Sequence, residues 1–190
     1  MKSRKPIFII EHLEPELYEW CLIEYRQISK IIGKKSLWFT NIKGKKSASK
    51  LKNYGKVAQE SVKNLDLKDA CLLDPEAKSQ LKPKDAKKFK YFIFGGILGD
   101  FPPRKRTQDE LTSFIKAPAF NITSKQMSTD TAVYVVKQIT LGKSLKNMLF
   151  IDNPEIKINK IESTILPYRY VMRKGGKPLI SRALLKFLKK

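Results

Sequence analysis

Apolar runs alternate with helical periodicity along most of the chain. Ile7-Phe8-Ile9-Ile10 is a short, largely β-branched run, the pattern of a strand buried on both faces. Pro15 suits the first turn of a helix. From Leu17 the positions Leu17, Trp20, Cys21, Ile23, Ile28 and Ile31 recur at roughly helical spacing, and Gly33 follows as a stop. Residues 37–42 read as a second strand. Ser47 or Ser49 can cap a second helix, predicted to run to about Leu65. Short apolar runs at 70–73, 91–94 and 119–122 predict three further strands. The first is closed by Asp74-Pro75 and the second runs into glycines. An amphipathic stretch over 129–141 and a short strand at 148–151 follow.

Strands alternating with helices predict an α/β fold with a mostly parallel sheet and helices on both faces. Ligands of such sheets bind beyond the carboxyl ends of the strands. That rule points to Glu11-His12, Asp74, the segment 95–100 and the turn around Thr123. Trp20 and Tyr25 lie on the apolar face of the first helix and are expected in the core.

Charge changes this picture. The 190 residues carry 39 Lys plus Arg against 18 Asp plus Glu, a formal net charge of +21. Such a charge attracts phosphate backbones and other anionic surfaces, and salt weakens the attraction. A lysine-rich surface kept for solubility or heat tolerance is the plainer alternative. Two segments concentrate the excess. Residues 34–56 hold Lys34, Lys35, Lys43, Lys45, Lys46, Lys50, Lys52 and Lys56 with no acid. The tail holds Arg173, Lys174, Lys177, Arg182, Lys186, Lys189 and Lys190, also with no acid, interleaved with apolar residues after Pro178. It reads as a basic amphipathic helix, either docked on its own domain or serving as an arm for RNA or a partner. Cys21, Cys71 and the single His12 make neither a disulfide framework nor a zinc site, so no metal is expected. No signal peptide or transmembrane span is evident, which makes the cytoplasm the expected compartment.

Two segments carry candidate chemistry. Phe94-Gly95-Gly96-Ile97-Leu98-Gly99-Asp100 follows an apolar strand. Its glycines let backbone N–H and C=O groups approach a ligand closely. It lacks the P-loop ending and a true G-x-G-x-x-G, so a tight structural turn is the competing explanation. The basic Pro102-Pro103-Arg104-Lys105-Arg106-Thr107 loop beside it can form a pocket wall. Asn121-Ile122-Thr123-Ser124-Lys125-Gln126-Met127-Ser128-Thr129-Asp130-Thr131 holds more small polar groups than one helix cap needs.

As an ordered set, the motifs resemble the SPOUT class of methyltransferases. The nearer branch is the family of the yeast protein-arginine methyltransferase that modifies a small-subunit ribosomal protein. The resemblance rests on Ile10-Glu11-His12-Leu13-Glu14, Glu19-Trp20, Leu22-Ile23-Glu24-Tyr25, the 94–100 segment, Pro103 and Arg106-Thr107. It continues in Gln126-Met127-Ser128-Thr129-Asp130-Thr131-Ala132-Val133, Asn153-Pro154-Glu155-Ile156, Glu162-Ser163-Thr164 and Leu166-Pro167-Tyr168-Arg169-Tyr170-Val171. It implies a SPOUT-like domain over 1–172 with a C-terminal trefoil knot, and a basic extension over 173–190. It also implies S-adenosylmethionine as methyl donor and S-adenosylhomocysteine as product. The residues expected to bind the donor are Phe94, Gly95, Gly96, Leu98, Gly99, Asp100, Asn121, Ile122, Gln126, Met127, Ser128, Thr129 and Thr131.

An arginine acceptor must be oriented by carboxylates that ease proton loss. Glu11, Glu14 and Asp100 are the expected ones, followed by Asp130 and Glu155. His12 can serve as a base only if it faces the pocket; otherwise its role is structural. The implied activity is protein-arginine methylation of a ribosomal protein. The alternatives are methylation of ribosomal or transfer RNA and, behind both, a non-enzymatic RNA-binding protein. Monomer and homodimer remain equally open.

Overall fold

A computed structural model describes residues 5–99 and 104–189. In chain order the elements are β1 (Ile7–His12), α1 (Glu19–Ile32), β2 (Leu37–Thr40), α2 (Lys45–Leu51), β3 (Lys56–Val57), β4 (Ala70–Leu73), α3 (Pro83–Ala86), β5 (Tyr91–Gly96), α4 (Arg106–Glu110) and β6 (Ala119–Phe120). They continue with α5 (Thr129–Thr140), β7 (Phe150–Asp152), β8 (Glu155–Lys157), β9 (Ser163–Ile165), β10 (Arg169–Val171) and α6 (Arg182–Phe187).

Six strands form one sheet in the order β3-β2-β1-β5-β4-β6, and every pairing in it is parallel. β1 is central, which is why Phe8, Ile9 and Ile10 are all buried. Alternation along the strands sorts their side chains into two cores. Phe8, Ile10, Leu37, Phe39, Phe92 and Phe94 pack against Cys21, Leu22, Tyr25 and Ile28 of α1 and Val133, Val136 and Ile139 of α5. The opposite face presents Ile9, Ile93 and Leu72 to Val62 and Leu111. This second face differs from the expected helical layer. Its cover is the short 3-10 turn Val62–Asn64 and the region around α4.

The second predicted helix is also shorter than expected. α2 stops at Leu51, because the turn Asn53-Tyr54-Gly55 returns the chain to lay β3 beside β2. β7 leaves the main sheet and pairs antiparallel with β10, while β8 and β9 form a separate hairpin.

The basic tail packs on the domain. Ile180 and Leu184 are buried with Ile23 and Tyr170, and Phe187 meets Trp20 edge-on at 6.0 Å. Ser181 Oγ accepts from Leu184 N and caps α6. Among the described residues, no helix is long and apolar enough to cross a membrane, and no group of three or more His, Cys, Asp or Glu side chains could hold a metal.

Candidate active site

A cleft of about 420 Å³ opens beyond the carboxyl ends of β4, β5 and β6. Its size is in the ordinary range for small-molecule sites. Leu73 ends β4 and Asp74 follows it, Phe94 and Gly95 belong to β5, and Ile122 follows β6. Gln126, Met127, Thr129 and Ala132 form a second wall at the start of α5. Asp152, Asn153, Pro167, Tyr168 and Arg169 form the third.

The glycine segment and the 121–131 segment therefore meet on one cleft. Of the expected donor-binding residues, Phe94, Gly95, Gly99, Ile122, Gln126, Met127 and Thr129 line it. Gly96, Leu98, Asn121, Ser128 and Thr131 are not among its lining residues. Gly96 faces the core, where a Cβ would collide with Tyr25 Oη and stand 2.9 Å from Ile10 Cγ2. Asn121 donates from Nδ2 to Ala77 O (2.7 Å) and braces the loop after β4. Ser128 Oγ bonds Asp130 Oδ1 and Thr131 Oγ1, both at 2.8 Å, within the first turn of α5. Asp100 lies outside the described residues.

The glycine loop is tied down from below. Leu98 N donates to Glu14 Oε1 (2.8 Å), and Arg106 Nη1 donates to the same oxygen (2.7 Å). Arg106 Nε also donates to Glu110 Oε1 (2.7 Å). The bonds to Glu110 and Glu14 raise the Arg106 pKa further above its ordinary value. At the other end of the loop, Tyr168 Oη donates to Gly99 O (3.3 Å). A Cβ on Gly99 would occupy the space taken by Gln126 Nε2 and the Tyr168 ring. The loop and the third wall are thus in direct contact.

Neither Glu11 nor Glu14 lines the cleft. Glu11 is fully buried, and its carboxylate accepts from Thr40 Oγ1 (2.5 Å), Ser61 Oγ (2.5 Å) and Val62 N (2.9 Å). These bonds join β1, β2 and the turn after β3. His12 is buried, and its Nδ1 stands 2.8 Å from Tyr25 Oη. Burial lowers its pKa below the ordinary histidine value, which favours neutral imidazole. Glu24 accepts from Trp20 Nε1 (2.8 Å) and Thr129 N (3.2 Å), linking α1 to the start of α5. Burial, reinforced by Asp130, raises the Glu24 carboxyl pKa, and burial does the same to Asp130. Glu155 is exposed on β8 and accepts from Ser163 Oγ.

Among the described residues, the acids that do line the cleft are Asp74, Glu76 and Asp152. Asp74 is buried; Oδ1 accepts from Glu76 N (2.9 Å) and Oδ2 from Thr112 Oγ1 (2.6 Å). Glu76 pairs with Lys105 (2.9 Å), which raises the lysine pKa. Asp152 takes both Nε and Nη2 of Arg169 (2.6 and 2.9 Å), and Lys125 Nζ as well (2.7 Å). Arg169 and then Lys125 hold its pKa well below the ordinary carboxylate range. Sequence reasoning reached Asp74 through the strand-end rule but did not place Asp152, Tyr168 or Arg169 in the site. Tyr168-Arg169 stood in a motif used only for resemblance, and nothing local announces that β10 returns to the cleft.

Residues 7–190 match the family described as Protein arginine N-methyltransferase SFM1-like. The chain belongs to this family. It is 39% identical over 200 residues to Protein arginine N-methyltransferase SFM1 of Saccharomyces cerevisiae, covering 96% of this chain and 94% of the yeast protein. The crystal structure of the yeast enzyme complexed with SAH superposes with a TM-score of 0.88 at 36% identity, covering 96% of this chain and 94% of that one. Its complex with SAM gives the same TM-score and identity over 97% and 90%. Trm10 from Thermococcus kodakaraensis, at 20% identity and a TM-score of 0.56 over 74% of this chain and 95% of that one, shares the fold. Membership in the family makes the chain a methyltransferase, the enzyme class expected from its motifs, on the SPOUT-like α/β fold.

Proposed function

We propose that the cleft binds S-adenosylmethionine and that the protein methylates an arginine side chain of a ribosomal protein in the cytoplasm. The observation that carries this reading is the meeting of residues 94–99 and 122–129 on one cleft, in a chain whose family is described by arginine N-methylation. The cleft suits the donor. Leu73, Phe94, Ile122 and Met127 offer apolar contact for an adenine ring, and the glycine backbone can approach a ribose. Lys125 and Arg169 outnumber the one acid they share, Asp152, which leaves positive charge for a carboxylate.

When bound, S-adenosylmethionine supplies an electrophilic sulfonium methyl. Transfer breaks the S–CH₃ bond, forms an N–CH₃ bond and leaves a neutral thioether, while the guanidinium gives up one proton. The protein aligns the acceptor nitrogen and accommodates that proton. In our reading, Asp74 and Glu76 orient the guanidinium, because they line the cleft and Glu11 and Glu14 are engaged elsewhere. Asp100 keeps its expected role toward the acceptor as part of the same proposal. The strongly basic surface suits substrates met within a ribonucleoprotein.

Labelled methyl transfer into ribosomal fractions, separated afterwards into protein and RNA, tests the acceptor. Label is expected in protein, as methylarginine. Label confined to RNA would replace this reading with an RNA methyltransferase. Asp74→Asn, which keeps an oxygen acceptor for one of the bonds from Glu76 N and Thr112 Oγ1, should lower turnover by more than tenfold, a larger factor than its effect on S-adenosylhomocysteine affinity.

A further inference from the structure

The loop-covered face of the sheet carries a second surface, at the end of the strands away from the cleft. Trp38 on β2 and Tyr91 on β5 flank β1, with ring centroids 5.7 Å apart. Both are only half-buried, because the cover formed by the Val62 and Leu111 segments does not extend over them completely. Each ring carries a lysine. Lys56 Nζ stands 4.0 Å from the Trp38 ring centroid, and Lys90 Nζ stands 4.7 Å from that of Tyr91.

On the β2–β3 side the surrounding charge is all positive. Lys34 and Lys35 precede β2 and Lys52 precedes β3, all exposed, within the acid-free segment 34–56. None of Lys34, Lys35, Lys52, Lys56 and Lys90 forms an ion pair among the described residues. Two acids precede β4 on the Tyr91 side, Asp66 and Asp69, and the Asp69 carbonyl accepts from Lys90 N (2.8 Å) and Tyr91 N (3.2 Å). Ammonium groups at such density repel one another, and an anion with several charges relieves that repulsion.

We propose that Trp38, Tyr91, Lys56 and Lys90 form a docking platform for single-stranded RNA. A plain polyanion would use the lysines and leave the rings idle. A single strand offers phosphates to draw the lysines aside and bases to stack on the ring faces the lysines leave. An A-form duplex keeps its bases stacked inside and cannot use the rings. Tyr91 precedes the cleft-lining Phe94 and Gly95 by three to four residues of β5, which places the platform roughly 10–13 Å along the strand from the cleft, so RNA can be held while the cleft works. The platform is independent of which acceptor takes the methyl group.

Fluorescence anisotropy of the full chain with a labelled 12-nucleotide oligouridine tests this, with duplex RNA and heparin as controls. Lys56→Gln with Lys90→Gln is expected to weaken oligouridine binding at least tenfold. Trp38→Leu with Tyr91→Leu should do the same while changing heparin binding less than twofold. In a Trp20→Phe background the remaining tryptophan is Trp38, and its emission should be quenched by oligouridine but not by duplex RNA. This readout stands even if the aromatic double variant fails to fold. Unchanged affinity of the lysine variant, or absence of single-strand quenching, would overturn the platform. Calorimetry with S-adenosylhomocysteine on the same variants should be unchanged; loss of donor binding by the unmodified chain would count against the cleft assignment instead.

Discussion

Arg106 and Leu98 share one carboxylate oxygen: Glu14 Oε1 accepts from the guanidinium at 2.7 Å and from the Leu98 amide at 2.8 Å. Glu14 thereby sets the height of the glycine loop over the sheet without touching the cleft. Its expected role in holding the acceptor gives way, in this reading, to positioning. Charge-assisted bonds of this kind contribute about 1.5–3 kcal/mol each. Glu14→Ala should weaken S-adenosylhomocysteine binding by about tenfold or more in calorimetry, where about 1.4 kcal/mol is tenfold. Glu14→Gln, which keeps an acceptor for Leu98, should lose less. Equal affinity in both variants and the unmodified chain would remove Glu14 from loop positioning.

Glu11 should matter to stability before it matters to turnover. Its carboxylate takes three hydrogen bonds in a fully buried position. Glu11→Ala leaves Thr40, Ser61 and Val62 without that acceptor and should cost about 3 kcal/mol. Denaturant unfolding measures the loss, and turnover of the folded fraction at low temperature should stay near normal. A stable but inactive Glu11→Ala would return this residue to the chemistry.

Glu24 predicts a pH dependence of opposite sign to that of an ordinary ion-paired carboxylate. Its native pKa is raised by burial and by Asp130. The unfolded carboxyl ionises first as pH rises through about 4.3, while the native one stays protonated. Stability relative to Glu24→Gln should therefore fall from that pH until the raised native value is passed, then level off. Thermal melts of both proteins between about pH 4 and pH 8 should show the glutamine variant gaining on the unmodified chain. A constant difference would mean that Glu24 titrates alike in the native and unfolded states, and a gain by the unmodified chain that its native pKa is depressed.

Gly96 is sensitive for a packing reason. Gly96→Ala would drive a methyl group into Tyr25 Oη, Ile10 and the Glu11 carbonyl, and overpacking of this kind costs about 1–3 kcal/mol. Adding Tyr25→Phe removes the nearest atom and should recover part of the loss in denaturation midpoints. If the double variant were merely additive, the clash with the hydroxyl would not be the cause.

The parallel sheet was readable because buried strands leave unbroken apolar runs, and 7–10, 70–73 and 91–94 each lie within or match a strand. Helix α1 was readable from its spacing, and its end from Gly33. β3 and β10 were not. The former is two residues long in a lysine-rich stretch, and the latter pairs with β7 across a separate hairpin, so neither has a period to detect. In the site, the glycine and Ser/Thr-rich segments announced themselves through local composition. The partnerships of Asp152 with Arg169 and of Glu11 with Ser61 did not, because sequence spacing carries no information about which distant polar groups will satisfy each other.

The bond from Tyr168 to Gly99 spans 69 positions of the chain. Binding competence is therefore a property of the nearly whole polypeptide: a product that stopped before Leu166 would retain all six parallel strands yet lack Pro167, Tyr168 and Arg169 from one side of its ligand chamber. Premature termination there should yield an inert protein, with no weak activity left behind.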